Sequence, residues 1–136
     1  MQKNRERLQH ALHNEQVCDY LVLKVEFADW VITTAFYASL QFVSYKVFPF
    51  ELPSIDGKKT KIESLDDYYR YNLGRNASKH QLLADLVEKY CNSISPEYDW
   101  LLSMSMNSRY SNYQQDNLVS QKAVNLMKKI KLYCTK

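Results

Sequence analysis

Arg75 and His80, separated by four residues in the stretch LGRNASKHQLL (residues 73–83), are the side chains in this sequence best suited to chemistry on a phosphodiester. In metal-independent RNA cleavage a histidine moves protons between the 2′-hydroxyl and the leaving oxygen, while an arginine stabilises charge on the phosphate. His80 is thus the candidate general base and acid, Arg75 the phosphate stabiliser, and Asn76 a neighbouring polar contact. The same loose spacing recurs in Arg5/His10 and Arg7/His13, inside an amphipathic stretch where solvated side chains account for it. Position distinguishes the Arg75/His80 copy: Ser78 and Gln81 form a capping box that puts His80, exposed, in the first turn of a helix, where backbone N–H groups attract phosphate. A loop running into a capped helix explains the same residues with no activity at all.

Other chemistries lack their signatures. There is no GxSxG elbow, Walker loop or HExxH, and Gly57 and Gly74, the only glycines, cannot make a glycine-rich phosphate cradle. Cys18, Cys91 and Cys134 are odd in number and far apart, which fits reduced thiols in a cytoplasmic protein rather than a zinc site or a disulfide framework. No metal or cofactor is expected. The charged amino-terminal stretch does not read as a signal peptide, and the most apolar segment, residues 30–45, is too short and too rich in Ser, Thr and Gln to span a bilayer. Five of the 18 basic residues (Lys122, Lys128, Lys129, Lys131 and Lys136) follow Asp116, the one acid in that segment, which leaves −1 for the rest of a chain of net charge +3. Such a patch is compatible with nucleic acid, although lysines near a helix carboxyl end also complement its dipole.

The elements that must position these groups read as helices. With two glycines, three prolines and 46% hydrophobic residues in 136, the chain fits one all-α domain over residues 1–136. Three-four spacing of Leu8, Ala11, Leu12, Cys18, Leu21, Val22 and Val25 predicts a first helix over residues 2–25. Asp29 caps a second, over residues 30–45, that is apolar nearly all round and belongs at the centre of a bundle. Pro49 and Pro53 stop it. A polar insertion at about residues 54–78 follows, with Asp56-Gly57 as a turn and a short helix capped by Ser64. Its Tyr68, Tyr69 and Tyr71 either pack on the bundle or stack on bases. A third long helix follows Ser78, a fourth is opened by Ser95-Pro96-Glu97, and a fifth starts at Asp116. Short connections make the whole an up-and-down bundle of four to five helices.

The segments LHNEQVCDYL, FADWVITTAFYASLQFVSY, SKHQLLADLVEKY and YDWLLSMSMNSRYSNY, in this order, resemble the HEPN superfamily over residues 12–113. They are nearest to its small bacterial members, which carry DWA-x-x-x-FYAALH, then SH-x-x-R, then S-x-x-ARY. The resemblance implies a helical bundle that dimerises, with relatives that cut RNA through an Arg-x4-6-His motif at the dimer interface and others that bind RNA, nucleotides or partner proteins. Matching positions are Asn14, Asp29, Trp30, Tyr37, His80, Ser105, Arg109 and Tyr110, whereas Gln41 and Leu83 stand where relatives have a histidine and an arginine. Arg109 either pairs with Asp29 across the bundle or lines an anionic pocket with His80.

The sequence therefore leads to the expectation of a HEPN-like RNA- or nucleotide-binding homodimer, whose catalytic form is a metal-independent endoribonuclease of a defence or toxin–antitoxin system. The alternative is a non-catalytic helical module that engages a partner protein of the same operon.

Overall fold

A computed structural model describes residues 2–73, 75–110 and 117–136, with the side chains of residues 2, 25 and 108–110 outside that description. Helix α1 (Gln2–Leu21) leads through a 3-10 turn (Val25–Phe27) into α2 (Ala28–Val47). A hairpin of β1 (Phe50–Pro53) and β2 (Lys59–Ile62), a short α3 (Leu65–Tyr71) and α4 (Lys79–Tyr90) follow. A second 3-10 turn (Asn92–Ile94) opens α5 (Ser95–Tyr110), and α6 (Asn117–Cys134) completes a helical bundle.

Helix α2 is the axis on which the others are laid. Val31, Ile32, Ala35, Phe36, Ala38, Phe42 and Val43 are buried on several of its faces, and α1, α5 and α6 cover it along its length, with α4 against one stretch. Each fully buried large side chain of this kind contributes about 1.5–3 kcal/mol. The hydroxyls on α2 enter the core by donating to carbonyls one turn back: Thr33 to Asp29 at 2.9 Å, Ser39 to Ala35 at 2.8 Å. No helix among the described residues is long and apolar enough to cross a membrane.

The ends of the elements depart from the sequence reading in three places. Helix α1 stops at Leu21, and the Val25–Phe27 turn runs directly into α2, so Asp29 is not a cap. Phe27 holds that position without a side-chain hydrogen bond, and Asp29 sits in the first turn, where its charge still favours the helix dipole. Ser95 is likewise no cap, because the Asn92–Ile94 turn has already brought it to helical angles (φ −61°, ψ −44°). The expected start of the last helix at Asp116 lies outside the described residues. The local signals that hold are Ser64, whose hydroxyl accepts from the Asp67 amide, and Ser78, which accepts from Gln81 at 3.1 Å.

The helical expectation holds for the bundle, with one addition that the sequence reading did not make: part of the polar insertion is an antiparallel hairpin. Phe50 pairs with Ile62 and Pro53 with Lys59. Its turn is built by Asp56, which accepts from the Ser54 hydroxyl (2.6 Å) and the Lys58 amide (3.0 Å), and by Gly57 at φ +81°, an angle other residues rarely adopt. A two-stranded ribbon is marginal alone. Here Ile62 is fully buried, Phe50 stacks on Phe48 (5.8 Å between centroids), and Tyr68 of α3 meets Phe50 edge-on. Of the tyrosines of the insertion, Tyr68 therefore packs on the fold, whereas Tyr69 and Tyr71 are exposed, Tyr71 donating to the Pro53 carbonyl at 2.7 Å.

Helices α1 and α6 are clamped by one carboxylate. Glu15 is only 6% exposed, and accepts from Lys128 at 2.7 Å and Lys131 at 2.9 Å; Lys128 also reaches Asp19 at 2.9 Å. Most of the basic carboxyl-terminal run is thus spent on ion pairs, including Lys129 to Glu97 at 2.8 Å. Burial opposes ionisation of Glu15, but the hydrogen bonds and charges of the two lysines outweigh it and hold the carboxyl below its usual range. Because the folded-state value is depressed, this stabilisation is complete above the ordinary carboxylate value of 4.5 and is lost as pH falls through the folded value. Glu15→Gln should therefore lower the unfolding free energy by about 1.5–3 kcal/mol near neutrality. In urea melts the gap from wild type should close as the pH drops below the ordinary carboxylate range; a gap that widens in acid would refute the clamp.

Candidate functional site

His80 is the second residue of α4, and its periodicity puts it on the stripe that continues through Leu83, Ala84 and Val87, all buried. Its ring rests edge-on against Phe36 of α2, with centroids 5.7 Å apart at 61°. The imidazole is half-buried and its Nδ1 is shielded from solvent, so the sequence expectation of an exposed ring is corrected. Phe36 also meets Tyr37 at 5.3 Å and Tyr98 of α5 at 5.8 Å, which makes it the centre of an aromatic group joining α2, α4 and α5.

Arg75 is elsewhere. Its Nη2 donates to Asp85 Oδ2 at 2.8 Å, and the other oxygen of that carboxylate accepts from Gln81 Nε2 at 2.9 Å. Asp85 lies five residues beyond His80, about 140° round the helix. The guanidinium is therefore held on the solvent face of α4 while the imidazole is turned towards the core. Neighbouring cations are paired as well, Lys79 with Asp66 at 2.7 Å and Arg70 with Asp67 at 2.6 Å. Acids gather on this side of the bundle: partial burial, then the charges of Glu88 and Asp85, push the Asp99 carboxyl above its usual range. An approaching phosphate would meet paired cations and a surplus of carboxylates.

The other candidate residues are dispersed. Asn76 is exposed, Asn14 on α1 and Asp29 on α2 are half-buried, and Trp30 is exposed. Tyr37 is half-buried on Phe36 and Ser105 is fully buried in α5. Arg109 and Tyr110 end α5, but their side chains, and with them the pairing of Arg109 with Asp29, lie outside the described residues. Of the candidates, Tyr37 and His80 are brought together, through Phe36. Among the described residues no group of three or more His, Cys, Asp or Glu is placed to hold a metal ion. Cys18, Cys91 and Cys134 are buried free thiols, and burial pushes Cys18 up to about 11 and Cys134 to about 12.

Compared with protein-family models, with curated proteins and with solved structures, the chain matches none.

Tyr98 of α5, which no motif in the sequence singles out, is the residue that local pattern missed. It is fully buried, and among the described residues its hydroxyl has no hydrogen-bond partner. Burial, with a smaller contribution from Asp99, pushes its ionisation far up, so it stays neutral. A buried hydroxyl without a partner costs about 1–3 kcal/mol. Tyr98→Phe, which keeps the ring against Phe36, should leave stability unchanged or raise it by about 1–2 kcal/mol. A denaturant-midpoint loss equivalent to more than that range would mean that the hydroxyl is bonded in solution.

Proposed function

We propose that this protein is a HEPN-like helical protein that binds RNA or a nucleotide and does not cut RNA within a single chain. The observation that carries the reading is the separation of the two groups cleavage needs: Arg75 is ion-paired to Asp85 on the outer face of α4, while His80 is packed against Phe36. Proton transfer and phosphate stabilisation require both at one scissile bond, within hydrogen-bond reach. Binding alone asks less, only a surface where positive charge outweighs negative, and with Arg75 and Lys79 neutralised by carboxylates, a chain of net charge +3 would have to offer such a surface away from the start of α4. Cleavage by this fold would need Arg75 to leave Asp85 and a second copy to bring a cation to His80.

Labelled structured RNA incubated with the protein in EDTA should remain intact. Cleavage that disappears in both His80→Ala and Arg75→Ala would overturn the non-cutting reading and restore the ribonuclease.

A second reading, a module that docks on a second copy or on a partner protein of the same operon, is favoured by one feature. Tyr20, Leu23, Phe27 and Trp30 stand exposed within eleven residues at the corner between α1 and α2, Leu23 at 77% and Trp30 at 54%. Large apolar side chains crowded at one exposed corner mark interaction surfaces. On this reading the protein is a dimer by size-exclusion with light scattering, and Leu23→Glu with Trp30→Glu makes it a monomer. A wild-type protein that stays monomeric at high concentration removes the self-docking form.

A further inference from the structure

A groove of about 610 Å³ lies at the end of the bundle where the start of α1, the end of α2, strand β2 and the end of α6 meet. Four cations line it, Arg5 of α1, Lys46 of α2, Lys61 of β2 and Lys136 just beyond α6, together with Asn4 and the half-buried Tyr45. No acidic side chain is among the lining residues. Of the four cations only Lys61 makes an ion pair among the described residues, to Glu63 at 3.3 Å, and both of those side chains are more than half exposed. The contrast is with Lys128, Lys129 and Lys131 of α6, which are all neutralised by carboxylates.

Helix dipoles account for half of this arrangement. Lys46 in the last turn of α2 and Lys136 beyond α6 sit at carboxyl ends, where a cation is favoured. Arg5 and Lys61 are not so explained. Arg5 lies in the opening turn of α1, the end at which a cation is disfavoured, and Lys61 is on a strand, whose dipole is small. Bringing them beside Lys46 and Lys136 costs repulsion that, among the described residues, only the exposed Lys61–Glu63 pair relieves.

The rim is also held in place. Asn4 donates to the Phe48 carbonyl at 2.9 Å and accepts from Arg7 Nη1 at 2.6 Å; Arg7 donates to the Glu63 carbonyl and lies over the Phe48 ring. These bonds tie α1 to the end of α2 and to the hairpin. Lys46 Nζ stands over the Tyr133 ring at 5.8 Å. Lys46 lies ten residues along α2 from Phe36, about 15 Å along the axis, so the groove is separate from the surroundings of His80.

We propose that this groove binds the phosphate backbone of single-stranded RNA, its four cations contacting successive phosphates and Tyr45 supplying an aromatic wall. The assignment rests on the RNA-binding reading and gives it a place on the molecule. A sunken cationic groove with an aromatic lining suits a flexible strand, which bends into it, better than a stiff duplex.

The test is fluorescence anisotropy with the full chain and a labelled, unstructured RNA of about 20 nucleotides, at salt between about 50 and 200 mM. Arg5→Glu with Lys136→Glu should weaken binding at least about tenfold at the lower salt and make the log–log salt dependence shallower by about 1.4, at about 0.7 for each lost phosphate contact. Lys46→Gln with Lys61→Gln should show the same shallower slope with a smaller loss. Lys58→Glu with Lys59→Glu at the hairpin turn should change affinity less than about twofold, because it alters charge outside the groove. All these side chains are exposed, so far-ultraviolet circular dichroism should be unchanged, and the melting temperature should move only by the small helix-dipole effects at Arg5 and Lys46. If wild type binds RNA and the groove variants bind equally well, the groove is overturned and RNA binding stands. Equal loss in the hairpin control means diffuse attraction and also overturns the groove. If wild type binds no RNA at any salt, the RNA reading falls and takes the groove with it. Displacement of the RNA by millimolar inorganic phosphate would show an ordinary anion site and reject the strand.

Discussion

The structure depends on one constraint: a twenty-residue helix that is apolar on almost every side must be removed from water on almost every side. A helix with a single apolar stripe needs one neighbour, whereas α2 needs several. Three long helices lie along it and α4 covers part of it, and the aromatic group about Phe36 marks where α4 and α5 meet it. The position of His80 follows from this. Its place on the α4 stripe is a place against α2, so the packing that builds the bundle also draws the imidazole inward.

Much of the architecture was legible because it is locally encoded. The composition of residues 30–45 makes a central helix whatever surrounds it, and Ser64, Ser78 and the Asp56-Gly57 turn act on backbone groups within a few residues. What failed was encoded by distant contacts. Strand FELP contains a proline and strand KTKI two lysines, so neither reads as β; they pair because Ile62 and Phe50 find a core assembled from other segments. The caps at Asp29 and Ser95 failed because 3-10 turns had already started both helices.

The candidate site shows the same division. Spacing identified Arg75 and His80, and the capping signal placed His80 in the first turn of α4. Neither signal carries the partner: Asp85 takes Arg75 from one side of the helix, and Phe36 takes His80 from the other. Tyr98 was hidden for a related reason, since an apolar face accepts its ring and says nothing of its hydroxyl. The groove cations were out of reach of any spacing argument. They are scattered over the whole chain, and only the convergence of α1, α2, β2 and α6 makes them neighbours.

The order of the elements has a consequence for synthesis. The most apolar helix is made second, and one of its two largest partners, α6, is made last. At about 5–20 residues per second, the roughly ninety residues from the end of α2 to the end of α6 take about 4–18 s to emerge from a ribosome. Throughout that interval the nascent chain carries an apolar rod sheathed on one flank by α1 and bare on another, a natural client for a chaperone that recognises uncovered hydrophobic segments.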